Sequence, residues 1–322
     1  MKIKGERMNK VLVTGATGFV GRGVLERLSW GEFLTTAAVR YEGIEASPVL
    51  KTFRIKGLQS DTDWSCALSG QDTVVHCAAR VHVMNENAPD PLVAFREVNF
   101  HGTLNLARQA AAAGVHRFVF ISSIGVNGGE TFQHPFSAED VPMPHSPYAV
   151  SKYEAELALQ ALAAETGLEV VIIRPPLVYG AGAPGNFGSL MRWLQRGVPL
   201  PLGAIRNRRS LVALNNLADL IVTCITHPAA AGQTFLVSDG EDVSTTELLR
   251  RMGQAMGHPA RLVPVPANWL TLAATVLGKR DMAQRLCGSL QVDIQKTRHL
   301  LGWQPPITLD QGLKKTVEGL AL

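Results

Sequence analysis

The stretch VLVTGATGFVG, Val11 to Gly21, restricts what this chain can fold into more than any other. A β-branched run, three glycines spaced three apart and a helical pattern read in order as strand, tight turn and helix. Gly15 permits the turn, Gly18 lets backbone approach a pyrophosphate, and Gly21 allows the helix to pack closely on its sheet. The helix N-terminus then offers N–H groups and the positive end of its dipole to phosphates. Thr17 in the turn, and Phe19 and Val20 at the start of the helix, are further candidates for contact with the nucleotide. The spacing is GxxGxxG rather than GxGxxG.

The pattern that follows extends this beginning. KVLVTGA, TTAAVR, TFRIKG, DTVVHCAA, RFVFISS and EVVIIRPPLVYG read as strands. Between them lie helical stretches, GFVGRGVLERLSW, NFHGTLNLARQAAAAG and a helix over about 147–165. Such alternation implies an α/β chain with a Rossmann-type, doubly wound parallel sheet, and the near-continuous apolar runs suit strands covered on both faces. After Gly180 the chain turns Gly/Pro-rich, yet TFLVSDG, Thr234 to Gly240, reads as one more buried strand. The expected division is a dinucleotide-binding domain over 8–180, with 211–240 returning to it in part, and a smaller α/β C-terminal substrate lobe over 181–322.

Which dinucleotide binds turns on the end of the second strand, where NAD enzymes usually place an acid for the ribose 2′-OH. Here that residue is Arg40, which can pair with a 2′-phosphate, with Arg22 adding to the positive field. NADP(H) is therefore preferred over NAD(H). Composition removes other classes. The net charge is only +4, and Arg206, Arg208 and Arg209 form the one basic cluster, so a nucleic-acid partner is excluded. Cys66, Cys77, Cys224 and Cys287 show no CxxC or metal-ligand spacing, which points to reduced thiols in a cytoplasmic protein and no metal. MKIKGERMNK has no apolar signal stretch after it; Met8 is an alternative start, with residues 1–7 a disordered extension. WLTLAATVLG, Trp269 to Gly278, is too short to span a bilayer and is read as a buried helix, with membrane contact as the alternative.

SPYAVSKYEAE places Tyr148 and Lys152 on one helix face. By spacing alone they are either a catalytic couple or mere neighbours. A free tyrosine titrates at about 10, so proton exchange at neutral pH needs a nearby ammonium.

TGATGFVG, HCAA, VNFHGT, ISS, YAVSK and RPPLVYG occur in that order. With them the chain resembles the extended short-chain dehydrogenase/reductases, and within these the nucleotide-sugar epimerases, dehydratases and reductases, over nearly its whole length. The resemblance implies that Tyr148 is the acid/base, that Lys152 holds the nicotinamide ribose, and that Ser123 hydrogen-bonds the reacting oxygen. It implies cofactor contacts from Ala78, Ala79, Asn99, Ser122 and Pro175, and a substrate contact from Arg80. Asn186, Arg209 and, by a looser match, Arg285 correspond to residues on a nucleotide diphosphate, a group that arginine forks suit. Gly57-Leu58 replaces the usual Gly-Asp at the adenine, a departure that weakens the cofactor argument; Asp61 is either its substitute or a solvated loop acid. A homodimer through helices near 91–113 and 147–165 is also implied.

The departures point to a reaction. Ile124 and Gly125 stand where dehydratases carry an acidic pair, and no cysteine accompanies the serine as in epimerase-reductases. Arg40 and the VNG containing Asn127 lean away from UDP-glucose 4-epimerases. SSIGVNG, GNFGSLMRWLQRGVPLPLG and GSLQVDIQKTRHLLGW look most like bacterial C4-reductases of a UDP-4-keto-6-deoxy-N-acetylhexosamine, which serve surface polysaccharide synthesis. The expectation is thus an NADPH-dependent 4-ketoreductase. The alternatives are an NAD-dependent UDP-sugar 4-epimerase, another reductase of the superfamily acting on a non-sugar carbonyl, and a non-catalytic NADP-sensing protein.

Overall fold

The apolar runs become buried strands. The computed structural model describes residues 8–41, 43–44, 47–81, 90–278 and 280–319; the expected extension over 1–7 lies outside them. In chain order the strands are β1 (Asn9–Thr14), β2 (Phe33–Val39), β3 (Leu50–Arg54), β4 (Thr73–His76), β5 (Arg117–Ile121), β6 (Glu169–Arg174), β7 (Leu177–Tyr179), β8 (Arg209–Ala213), β9 (Thr234–Leu236) and β10 (Asp242–Val243). Seven form one sheet in the order β3-β2-β1-β4-β5-β6-β9, every pair parallel. The chain steps outward from β1 to β3, then returns to lay β4 beside β1 and proceeds the other way. That reversal opens a crevice beyond the carboxyl ends of β1 and β4, where such sheets bind ligands.

The helix Pro147–Thr166 begins with Ser146, whose Oγ accepts from the Ala149 N–H at 3.3 Å, and with Pro147 in the first turn; Gly167 ends it at φ 75°. Its buried residues include Ala149, Lys152, Ala155, Glu156 and Leu159. These recur at helical spacing, so the face turned to the sheet carries a lysine and a glutamate among aliphatic side chains.

Three elements differ from the sequence reading. The helix expected through NFHGTLNLARQAAAAG is interrupted: Pro91–Arg96 passes into a π-helical turn, Glu97–Gly102, before regular helix resumes over Thr103–Ala112. The turn lets a neighbouring loop in, since a Cβ on Gly102 would lie 2.1 Å from the Leu58 carbonyl oxygen. EVVIIRPPLVYG is two strands, because Pro175 and Pro176 lack ladder N–H groups. β6 stays in the large sheet, while β7 pairs in parallel with β8, which pairs antiparallel with β10. WLTLAATVLG is a helix, Ala267–Val276, but none of its residues is buried. Hydropathy predicted the element and could not show what, if anything, covers it.

Candidate active site

The glycine turn closes onto the crevice. Gly15 has φ +68°, and a Cβ there would fall 2.6 Å from the Ala78 nitrogen, so only glycine lets β1 turn against the end of β4. A Cβ on Gly21 would lie 2.1 Å from the Gly15 carbonyl oxygen, which itself accepts from the Gly18 N–H at 2.9 Å. Gly18 begins the helix Phe19–Ser29 without a side-chain cap, so no side chain of its own covers the first-turn N–H groups. Thr17 is exposed, Phe19 and Val20 are half-buried, Ala78 is buried and Ala79 half-buried around the same crevice. Arg40 and Asp61 are exposed, at the end of β2 and in the loop after β3.

Lys152 is wholly buried, its Nζ 3.8 Å from the centre of the Phe120 ring and without a hydrogen-bond partner. Burial lowers its pKa to about 7; Glu156 and Cys77 pull the other way. Tyr148 is half-buried, packs edge-on to Phe95 at 6.0 Å, and burial raises its phenol to about 12. The Arg80 guanidinium lies 5.9 Å from the centre of the same Phe95 ring. Ser123 caps the short helical turn Ile124–Val126, its Oγ accepting from the Gly125 N–H at 3.1 Å. Its own O–H is not consumed by that bond.

A line of hydrogen bonds joins these parts. Buried Asn99 accepts from the Arg80 N–H at 2.8 Å, and its amide donates to the Arg80 carbonyl at 3.0 Å and to Ser151 Oγ at 3.1 Å. Ser151 in turn donates to the Tyr148 carbonyl at 2.8 Å. The segment after β4 and the first turn of the tyrosine helix are therefore held by one side-chain amide. A second buried network lies a turn further on. Ser122 donates to Glu156, which pairs with Arg174 of β6, and Arg174 also donates to Asn127 Oδ1 at 2.9 Å. Pro175, buried beside Arg174, accepts from the Ile124 N–H at 3.0 Å. Ser151, Glu156 and Arg174 were missed from sequence. Glu156 lies four residues after Lys152 and was visible as a face-mate, but Arg174 was hidden inside an apolar run.

His76 is buried and bonded on both ring nitrogens. It bonds Thr14 at 2.6 Å and Thr103 at 3.0 Å, and burial, with Lys152 nearby, lowers its pKa to about 3.

On the far side, Arg209 begins β8 half-buried and donates to the Gly288 carbonyl at 3.0 Å. Burial lowers its pKa, Glu130 opposes that, and Arg285 adds to the lowering. Arg209 and Arg285 thus lie within electrostatic reach of each other, although far apart in sequence. Asn207 fixes the backbone between them, its amide donating to the Leu286 and Gly288 carbonyls. Arg208 is exposed. Asn186 opens the helix Asn186–Gln195, and its side chain lies outside the described residues.

Residues 11–238 match the model of the NAD dependent epimerase/dehydratase family. The chain belongs to that family. A Vibrio cholerae protein named UDP-glucose 4-epimerase is 49% identical over 311 residues, covering 96% of this chain and 94% of the other. Among solved structures, a UDP-N-acetylglucosamine 4-epimerase from Bacillus cereus superposes with a TM-score of 0.81 at 19% identity, covering 98% of this chain and all of that one. A UDP-glucose 4-epimerase from Thermotoga maritima gives 0.77 at 21%, covering 97% and 98%.

Membership in the epimerase/dehydratase family makes the chain an enzyme of the NAD-dependent class, and the structure fits such a group. The glycine turn leaves a cradle that a Cβ would fill, and Lys152 presents a buried ammonium without a hydrogen-bond partner. The expectation of a UDP-4-keto-6-deoxy-N-acetylhexosamine 4-reductase is overturned, because the relative at 49% identity carries the name of an epimerase. The structure shows why the residues behind that expectation misled. Asn127 is engaged at both ends of its amide, accepting from Arg174 of β6 and donating to the Ser137 carbonyl, so its place here is accounted for by a structural tie between that strand and the loop at Ser137. Arg40, exposed at the end of β2, bears on the dinucleotide and not on the choice between reduction and epimerisation.

Proposed function

We propose that the protein is a 4-epimerase of UDP-linked hexoses, of the UDP-glucose or UDP-N-acetylglucosamine type, working with bound NAD. The observation that carries this reading is the near full-length 49% identity to the Vibrio cholerae protein, in a chain that keeps Ser123, Tyr148 and Lys152. Bound NAD supplies a place for the C4 hydride and the means of returning it. The chain's own residues handle the proton. Tyr148 takes it from the O4 hydroxyl as the C4–H bond breaks and returns it when that bond reforms on the opposite face. A phenol at about 12 ionises too weakly for this, so the reading has Lys152, protonated, stabilise the phenolate from the next turn. Ser123 donates to O4 and keeps it beside the tyrosine.

In the same reading Gly15, Thr17, Gly18, Phe19 and Val20 hold the pyrophosphate, while Ala78, Ala79, Asn99, Ser122 and Pro175 line the rest of the dinucleotide crevice. Asp61 lies toward adenine, and Arg40 gives a 2′-phosphate a partner, so NADP(H) is accepted alongside NAD. Arg209, Arg285 and Asn186 take the diphosphate of the substrate, and Arg80 the sugar side. Residues 8–180 with 211–240 serve the dinucleotide, residues 181–322 the UDP-sugar, and two copies pair through the helices near 91–113 and 147–165.

The test is proton NMR of UDP-galactose or UDP-N-acetylglucosamine incubated with the purified protein. Each anomeric doublet should be joined by that of its C4 epimer, approaching one equilibrium from either side without net consumption of dinucleotide, and Tyr148→Phe should abolish the conversion. Failure to interconvert either UDP-sugar pair with NAD supplied refutes the reading.

A further inference from the structure

The helix Ala267–Val276 carries its apolar residues outward. Trp269, Leu272 and Val276 are 69%, 62% and 79% exposed, Leu277 just beyond them is 70% exposed, and Ala273 is exposed as well. Positions 269, 272, 273, 276 and 277 repeat at helical spacing, so they form one continuous stripe facing solvent. Leu270 and Ala267, on the opposite side, pack against the core of the smaller sheet. A stripe of this size, led by a tryptophan, marks a contact surface rather than scattered exposure.

Charge says what kind of surface it meets. Residues 181–212 contain five arginines and no acid, and residues 258–291 contain four basic residues and one aspartate. The whole chain nets +4, so these two segments, net +8, leave the remainder net −4. The two segments are also neighbours in space. The Leu200 N–H donates to the Arg261 carbonyl, the Gly203 N–H to the Val263 carbonyl, and Ala204 bridges to Pro266 at the start of the helix. Exposed Arg261 lies just before the helix and exposed Arg280 just after it, so the stripe is bracketed in sequence by arginines. Two such faces brought together would set like charges against each other, which argues against a second copy as the occupant.

We propose that this helix is an interfacial anchor that seats the C-terminal part of the molecule on an anionic membrane surface. Trp269, Leu272, Val276 and Leu277 enter the headgroup boundary, and the surrounding arginines meet acidic lipid. No described helix is long and apolar enough to cross a membrane, so the contact is lateral. It is independent of which sugar the enzyme takes.

The experiment is cosedimentation of the full chain with phosphatidylcholine vesicles, with and without phosphatidylglycerol. The protein should partition onto the phosphatidylglycerol vesicles, far less onto phosphatidylcholine alone, and come off as salt rises. Leu272→Glu should lower partitioning by about tenfold or more, and Arg280→Gln by about fivefold. Both side chains are exposed, so circular dichroism and turnover should match the unaltered protein. Absence of binding to phosphatidylglycerol vesicles overturns the proposal, as does undiminished binding by Leu272→Glu. A dimer that Leu272→Glu dissolves would overturn it by giving the face to a second copy.

Discussion

Replacing Lys152 by methionine should make the protein, stripped of dinucleotide, more stable. The side chain is wholly buried, its ammonium has no hydrogen-bond partner, and its pKa falls from the ordinary 10.5 to about 7. At about 1.4 kcal/mol per unit, that shift puts a ceiling of about 5 kcal/mol on the cost of keeping the group charged. Relaxation and the lost ring contact with Phe120 reduce what methionine recovers to about 2–4 kcal/mol at pH 6. The pH dependence identifies the cause. Between pH 7 and 10.5 the unfolded chain holds more protons at this position than the folded one, so wild-type stability rises with pH there. The advantage of Lys152→Met should accordingly be full at pH 6 and shrink by about half by pH 9. Urea unfolding of both proteins at the two pH values measures it, and turnover should be lost. A variant less stable than wild type at pH 6, or an advantage that does not change with pH, would refute the reasoning.

Glu156→Gln leaves the Arg174 guanidinium buried without its counter-ion and should cost about 3–5 kcal/mol, read as a lower urea midpoint. Gly21→Ala sets a methyl group 2.1 Å from the Gly15 carbonyl oxygen, forcing the turn open. The purified variant should carry less dinucleotide than wild type by at least about tenfold, measured by release on denaturation. Arg40→Ala should weaken NADP binding by about tenfold and leave NAD binding within about twofold, as measured by fluorescence titration; equal losses for both would remove the 2′-phosphate role.

The parallel sheet and the glycine crevice were legible because they rest on local rules. A strand, a glycine turn and a helix announce themselves within eleven residues, Val11 to Gly21. The smaller sheet was harder to see, since its strands are two to five residues long and pair across wide gaps, β10 with β8 and β8 with β7. The π-helical turn at Asn99 was not legible at all, because the backbones it meets, at Leu58 and Arg80, are remote in sequence. Asn127 shows the opposite failure. Its identity was plain, but its meaning depended on Arg174, a charged residue that the surrounding apolar run concealed.

The Glu156–Arg174 pair has a consequence for how such a molecule can vary. A helix can turn about its own axis without leaving its groove, and a slip of one residue turns it by about 100°. Glu156 sits one turn beyond Lys152, and its partner belongs to β6, the strand beneath, so the pair keys the helix at a single angle. The loops entering and leaving the helix can then lengthen, shorten or change partner without re-aiming Tyr148 or Lys152. Divergence at the rim of the site is thereby separated from the proton chemistry at its floor.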